Sequence, residues 1–294
     1  MNIWIVGCGD IGRRVARLYQ KSTKESNKPV NGLVYSQASL QRCQSAHINT
    51  IRYDLDQPSV ELQDRQNFDP QSFKQANIFY FAPPPRIGEC DTRLQNFLKK
   101  VKDQPKKIVL ISTTGVYGDS QGAWIDESFP LTPNAERAKR RVHAETLLSQ
   151  WAKQYQKESV ILRVPGIYAA DRLPLARIKK GLPIVQTSEA GWTNRIHADD
   201  LAYIAQQAMK LTPPSPIYNI SDGSPSTMTD YFNQVADYAG LTRPPQISMQ
   251  EAVKTLSAGM VSYLQESRRI SNQKMLTELN IMLRYPTLAS GLKA

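Results

Sequence analysis

Asn2-Ile-Trp-Ile-Val-Gly-Cys-Gly-Asp-Ile-Gly12 is the stretch whose reading decides the rest. Ile3 to Val6 is a short, mostly apolar run of the kind that forms a buried parallel strand. Gly7, Gly9 and Gly12 follow at the spacing G-x-G-x-x-G, and Ile11, Val15, Leu18 and Tyr19 then recur at helical spacing. In a strand–turn–helix context each glycine has a task. Gly7 permits the tight turn, Gly9 lets a pyrophosphate approach the backbone, and Gly12 lets the helix lie close on the strand. The helix opens at Asp10 and Ile11, so its free N–H groups and positive end face the phosphates. The stretch therefore predicts a dinucleotide site rather than a purely structural turn.

Working outward, Val30 to Ser36 reads as a second strand, after a polar turn from Lys21 to Lys28. Its end, Tyr35-Ser36-Gln37, lacks the acid that commonly holds an adenosine ribose. Ser36 and Ser39 are small donors there, and Arg13, Arg14 and Arg42 are candidate cations for a 2′-phosphate. That balance leans towards NADP over NAD, although these arginines could equally be surface residues. Asn49 to Tyr53 predicts a third strand, and Asp54 and Leu55 stand at its end; Asp54 either meets an adenine amino group or caps the next turn. A helix closing over Phe73 to Ala76 is expected. Asn77 to Phe81 is a strongly apolar fourth strand, which Ala82 and Pro83 end at the rim of the sheet. Thr92 to Val101 is an amphipathic helix and Lys107 to Ser112 the fifth strand. Such alternation is the signature of an α/β, Rossmann-type doubly wound parallel sheet, whose ligands bind beyond the carboxyl ends of the strands.

Beyond the fifth strand come Ile111-Ser-Thr-Thr-Gly-Val-Tyr-Gly118, a long helix through Tyr155, and Ser159-Val-Ile-Leu-Arg-Val-Pro-Gly-Ile-Tyr168. Asn194-Arg-Ile-His-Ala-Asp-Asp-Leu201 and Ile217-Tyr-Asn-Ile220 follow. In this order the segments resemble the extended short-chain dehydrogenase/reductase superfamily, specifically its nucleotide-sugar epimerase/dehydratase group. The resemblance covers nearly the whole chain. It implies a Rossmann domain over 1–166 plus 193–220 and a smaller substrate lobe over 167–192 plus 221–294. It places Pro165 and Gly166 beside the nicotinamide. It also implies a working trio: a hydroxyl residue on the substrate oxygen, a tyrosine as general acid/base, and a lysine four residues later on the cofactor ribose.

Counting back from Val116 and Tyr117 puts the hydroxyl position at Thr113, which could also simply satisfy strand-end backbone groups. Ala144-Glu145 fixes the helix register and puts Arg137 at the tyrosine position and Arg141 at the lysine position. None of the 13 tyrosines has a lysine four residues on. Arginine stays protonated near pH 7 and cannot exchange a proton there. Arg141 can still donate to a ribose hydroxyl, and two guanidinium groups one turn apart would make an anion pocket. Alternatively both point to solvent in a decayed site. Tyr117, Tyr168, His143 and His197 are the other groups near the segment ends, and none is singled out as a base. Two readings stand: an NAD(P)-dependent oxidoreductase or epimerase-like enzyme acting on a small, anionic molecule, and a non-catalytic cofactor sensor.

The rest of the chain bounds these readings. It has 294 residues, enough for one large or two ordinary domains. Its formal charge is +11, but the basic residues come as dispersed doublets without interleaved aromatics, so nucleic acid is not expected. The charge suits phosphorylated ligands instead. No apolar run is long enough for a membrane span, and the first residues do not read as a signal peptide, so a cytoplasmic protein is expected. Cys8, Cys43 and Cys90, like the 3 histidines, show no disulfide or metal spacing. In the carboxyl-terminal third, helices are expected over Leu173–Gly181, Asp199–Met209, Ser226–Ala239 and Ser248–Gly259, with a linker at Pro213–Pro216 and another helix starting near Asn272. The resemblance also implies a homodimer through the long helix and its predecessor.

Overall fold

The computed structural model describes residues 2–22, 29–57, 68–212 and 216–294; much of the turn at Lys21–Lys28 and of the linker at Pro213–Pro216 lies outside them. In chain order the first half comprises β1 (Asn2–Val6), α1 (Asp10–Ser22), β2 (Val30–Val34), α2 (Gln37–Ser45), β3 (Asn49–Arg52), β4 (Ala76–Tyr80), α3 (Thr92–Val101), β5 (Lys107–Thr113), β6 (Trp124–Ile125) and α4 (Glu136–Tyr155). Then come β7 (Glu158–Val164), β8 (Gly166–Tyr168), α5 (Leu175–Lys179), β9 (Ile184–Val185), β10 (Trp192–Thr193), β11 (Arg195–His197), α6 (Ala198–Lys210) and β12 (Ile217–Asn219). The last part holds β13 (Ser226–Thr227), α7 (Met228–Tyr238), β14 (Gln246–Ile247), α8 (Met249–Thr255), α9 (Ala258–Leu264), β15 (Arg269–Ile270), α10 (Gln273–Glu278) and α11 (Leu288–Leu292).

Seven parallel strands form the central sheet in the order β3-β2-β1-β4-β5-β7-β12. The winding reverses between β1 and β4, so the crevice for a ligand opens at the carboxyl ends of those two strands. The α/β doubly wound expectation is met. The apolar runs explain why these strands lie innermost: every residue of β4 is buried, as are four of the five in β1. Helices cover both faces. Ile5, Val15, Tyr19 and Phe79 share one core with Leu201 and Ile204 of α6, and Trp4, Ile78, Phe97 and Leu148 share the other.

A separate, smaller core joins Tyr168, Ile178 and Ile184 to Phe232, Val235 and Leu292, so two distant parts of the chain condense into one lobe. Short strand pairs tie it together and to the sheet domain: β9 with β14, β10 with β13, and β6 with β15. No helix among the described residues is long and apolar enough to cross a membrane.

Two helix expectations are corrected. Over 70–73 there is only a 3-10 turn, capped by Asp69, and Ala76 already belongs to β4. Phe73 is buried there with its ring 4.4 Å from that of Trp4, and Gln75 ends the turn with a positive φ of 54°. The single helix read over Ser248–Gly259 is two. Leu256 turns extended, and Ser257 caps a second helix by accepting from the Met260 N–H.

Candidate functional site

Gly7 ends β1 with φ at +81°, a conformation that costs a side-chain-bearing residue energy, and a Cβ there would lie 2.3 Å from the Ala82 nitrogen. Such contact comes from β1 and β4 lying side by side. At Gly12 an added Cβ would sit 2.9 Å from Ile5 Cγ2, so the helix rests on the strand as the motif requires. At Gly9 the nearest such contact is 3.9 Å, and the backbone is open. Arg13 N–H is the first to bond back, to the Gly9 carbonyl. The N–H groups of Asp10, Ile11 and Gly12 therefore precede the helical ladder and are left for a ligand.

A cavity of about 300 Å³ lies against this turn. Gly7, Gly9, Ser36, Asp54, Leu55, Ala82 and Pro83 line it, as does Tyr35, which is 71% exposed. Ser36 caps α2 by accepting from the Ser39 N–H at 3.2 Å, and its hydroxyl donates to Ser39 Oγ at 2.9 Å. Asp54 Oδ1 accepts from the Asp56 N–H at 2.9 Å, so the turn-capping reading of this residue holds even as it lines the cavity. Arg93, missed from the sequence, also lines the wall and is held by Asp56 at 2.6 Å.

Three assignments in the glycine turn fall outside this cavity's lining. Ile11 is buried in the core, and Gly12 packs on β1. The Asp10 carboxylate turns away to Arg14 and Arg172, at 3.2 and 2.9 Å. What Asp10 and Ile11 offer a phosphate is backbone only. Arg14 is also corrected as a cation for a 2′-phosphate. Asp199 at 2.6 Å, Asp171 at 2.8 Å and Asp10 already surround it.

A second cavity of about 560 Å³ begins at Pro84, the residue after Pro83 of the first. Thr113, Arg137, Arg141, Pro165 and Gly166 all line it. Neither arginine points to open solvent. Arg137 Nη1 donates to Ser262 Oγ at 2.6 Å, and its guanidinium stacks 4.0 Å from the Tyr263 ring. Arg141 lies deeper, with 13% of its side chain exposed, and burial lowers its proton affinity. Its Nη1 has no hydrogen-bond partner and stands 4.0 Å from Asp91 Oδ2, which is unpartnered too. Asp91 is wholly buried, and its other oxygen caps α3 through the Leu94 N–H. Nη1 is buried against Asp91, but Arg141 lines the cavity and its planar fork carries further N–H groups, which leaves it able to donate to a ligand hydroxyl or oxyanion.

Arg172, Arg195 and Arg268 add to this wall, and Glu266 is the carboxylate among its described lining residues. Glu266 holds Arg268 at 2.6 Å and Asp10 holds Arg172. Arg195 instead donates to the hydroxyls of Ser226 and Thr193 and the carbonyl of Thr227, and lies 4.3 Å over the Tyr231 ring. Burial pulls its pKa down to about 10, so it stays charged at neutral pH. Arg137 and Arg195 thus hydrogen-bond only neutral groups, and although Asp222 and Asp230 lie near enough to offset part of the Arg195 charge, the arginine-rich wall suits an anion.

The other hydroxyls and imidazoles are engaged elsewhere. Tyr117 OH is buried between Asn219 Oδ1 at 2.7 Å and Arg163 Nη1 at 2.8 Å. Tyr168 lines the cavity, but its OH donates to the Thr287 carbonyl at 3.1 Å and burial raises its pKa. His143 Nδ1 accepts from the Asp91 N–H, and His197 Nδ1 from the Asp199 N–H. Thr113 Oγ1 accepts from the Gly115 N–H at 3.2 Å, leaving its own proton to give.

Behind the cavity one buried network sets this geometry. Glu145 of α4 accepts from Ser112 Oγ of β5 at 2.5 Å and from Arg163 Nη2 of β7 at 2.8 Å. The elements carrying Thr113, the arginine pair and the Pro165-Gly166 turn are thereby fixed to one another. Sequence reading missed Tyr263 and Ser262, because nothing near them in the chain signals that α9 reaches over Arg137. Arg195 lay inside a quoted segment without a role.

Residues 90–221 match the model of the NAD dependent epimerase/dehydratase family. Comparison with curated protein sequences finds no match. Among solved structures, a functionally unknown conserved protein from Silicibacter pomeroyi is similar at TM-score 0.80 and 25% identity, over 99% of this chain and 96% of that one. A protein from Methylobacillus flagellatus assigned to the NAD-dependent epimerases/dehydratases is similar at TM-score 0.70 and 27% identity, over 99% and 96%. The fold is also that of UDP-glucuronic acid 4-epimerase from Bacillus cereus, solved with NAD, at TM-score 0.74 and 18% identity over 100% and 97%.

Proposed function

We infer, for a chain whose residues 90–221 belong to the NAD-dependent epimerase/dehydratase family and whose whole length has that fold, an NAD(P)-dependent oxidoreductase acting on an anionic small molecule. The observation that carries this reading is the meeting of Thr113, Arg137, Arg141 and the Pro165-Gly166 turn on one cavity, one residue on from the glycine-turn cavity.

The residues present fit a dinucleotide. The open backbone at Gly9 and the N–H groups of Asp10 and Ile11 would hold the pyrophosphate. Tyr35, Ser36 and Asp54 would surround the adenosine, and Arg141 would donate to the nicotinamide ribose. Ser36 stands where a carboxylate would repel a 2′-phosphate, so NADP is favoured over NAD. When bound, the cofactor supplies hydride acceptance or donation. Thr113 orients the substrate oxygen by a hydrogen bond from its hydroxyl, without giving up the proton. Arg137 and Arg195 hold the substrate's anionic group, and Arg137 lends positive charge to an oxygen that becomes negative. Because no guanidinium exchanges protons near pH 7, the proton comes from solvent or substrate.

A second reading rests on one observation: of the tyrosines lining the cavity, burial raises Tyr168 and Tyr231 rather than activating them. A protein that binds the cofactor and an anion without turnover would serve as a sensor. Nucleotide binding followed by fluorescence, then NAD(P)H oxidation across a panel of keto acids and phosphorylated carbonyls, separates the two. Turnover abolished by Thr113→Val supports the enzyme. Tight binding with no turnover across the panel supports the sensor, and no binding of either nucleotide overturns both.

A further inference from the structure

Arg172 lines the larger cavity, yet its Nη1 donates to Asp10 Oδ2 at 2.9 Å, one residue on from Gly9 of the smaller cavity. Asp10 supplies one of the backbone N–H groups left free at the start of α1. An aspartate amide nitrogen lies at most about 5 Å from its own carboxylate oxygens, so the guanidinium tip stands within about 8 Å of that N–H. The segment carrying Arg172 is pinned at the residue before it, because Asp171 takes Arg14 at 2.8 Å. Arg172 itself has 36% of its side chain exposed, and Asp10 is its one ionic partner among the described residues. The pair can therefore open by rotation of one side chain, with the segment staying in place.

We propose that Arg172 is a swinging clamp for the cofactor's pyrophosphate: it rests on Asp10 in the free protein and donates to the diphosphate when a dinucleotide is bound. The clamp rests on the dinucleotide reading given above. The charges around the first turn of α1 argue for it. Asp10, Asp171 and Asp199 are three carboxylates answered by two guanidinium groups, Arg14 and Arg172. That excess of negative charge opposes an anion arriving at the same helix end, unless a cation turns towards it.

Of the two cations, only Arg172 is free to turn. Arg14 is held by all three carboxylates and has 13% of its side chain exposed. Arg172 has one partner and faces the cavity. When it leaves, Asp10 keeps Arg14, so no carboxylate is stranded. A guanidinium fork pairs with a phosphate as it does with a carboxylate, so the exchange keeps a charge-assisted contact on Arg172 throughout. Arg172 follows the Pro165-Gly166 turn and β8, so its move to the diphosphate would tie the wall of the larger cavity to the cofactor.

The test titrates NADPH and NADH into the full chain, followed by fluorescence, for the parent, Arg172→Gln and Asp10→Asn. Arg172→Gln should weaken the nucleotide that the parent prefers by about tenfold or more, as loss of one charge-assisted contact does. Asp10→Asn should tighten it, because that change frees Arg172 and removes a repelling charge. The two members of one ion pair then act in opposite directions, whereas a purely structural pair would make both variants lose alike. Arg172→Gln within about twofold of the parent overturns the proposal, and so does any weakening in Asp10→Asn. A parent that binds neither nucleotide overturns the proposed function itself. A parent that binds, with Arg172 indifferent, overturns the clamp alone.

Discussion

Replacing Glu145 by Gln tests whether the buried network is what holds the candidate site together. Glu145 and Arg163 have side chains 7% and 3% exposed, so neither charge can turn to water. The carboxylate accepts from Ser112 Oγ and from both Nε and Nη2 of Arg163. Glutamine keeps the shape but leaves a guanidinium uncompensated in the interior. Breaking a buried pair in this way costs about 3–5 kcal/mol. With an unfolding entropy of about 2.1 cal/mol/K per residue over 294 residues, that lowers Tm by about 5–8 °C. Melting followed by circular dichroism, with urea titration alongside, measures it. A Glu145→Met, Arg163→Met double variant should recover at least half of the loss, because removing both charges leaves nothing uncompensated. If the single variant melts within about 1 °C of the parent, or the double variant is less stable than the single, the network does not bear the strain assigned to it.

Gly7→Ala should abolish nucleotide binding, since its Cβ would collide with the Ala82 backbone at an already left-handed φ; near-parental affinity in a fluorescence titration would contradict the cradle. Arg137→Gln should weaken an anionic substrate or inhibitor by roughly tenfold or more while leaving nucleotide affinity within about twofold, as expected for one charge-assisted contact. An equal loss of both would remove Arg137 from the anion site. Asp222 is pushed up from 3.8 to about 7, chiefly by burial. Its folded form holds the proton more tightly than the unfolded chain, so its contribution is complete below about pH 4 and is lost as pH rises through 7. Asp222→Asn should therefore gain on the parent between pH 4 and 7, by an amount of the order of 4 kcal/mol. A stability difference that stays constant over that range would show the carboxyl to be solvated.

The glycine turn, the strand sequence and the absence of a tyrosine–lysine pair were legible because each is a local pattern. Apolar runs mark β1 and β4 whatever surrounds them, and G-x-G-x-x-G fixes its own turn. Arg137 and Arg141 were placed by counting along one helix, which is again local. What escaped depends on partners far away in the chain. Arg14 is taken by Asp171 and Asp199, 157 and 185 residues distant, so its sequence neighbourhood says nothing of its fate. Ser262 meets Arg137 across 125 residues, from a helix of which the sequence reading, ending at Gly259, reached only the start. The Pro-rich turn after β4 showed where the strand stops but not that Arg93, ten residues on from Pro83, would bond back to its carbonyl.

The pairing of β6 with β15 bears on how the protein is born. Residues 124–125 take their partners from 269–270, and the Ser120 and Gly122 amides both bond to the Ser267 carbonyl. A ribosome must therefore make the chain through residue 270 before the loop that follows Thr113 finds its neighbour. Strands β1 to β5 are made long before, while the larger cavity still lacks the wall that Glu266 and Arg268 supply.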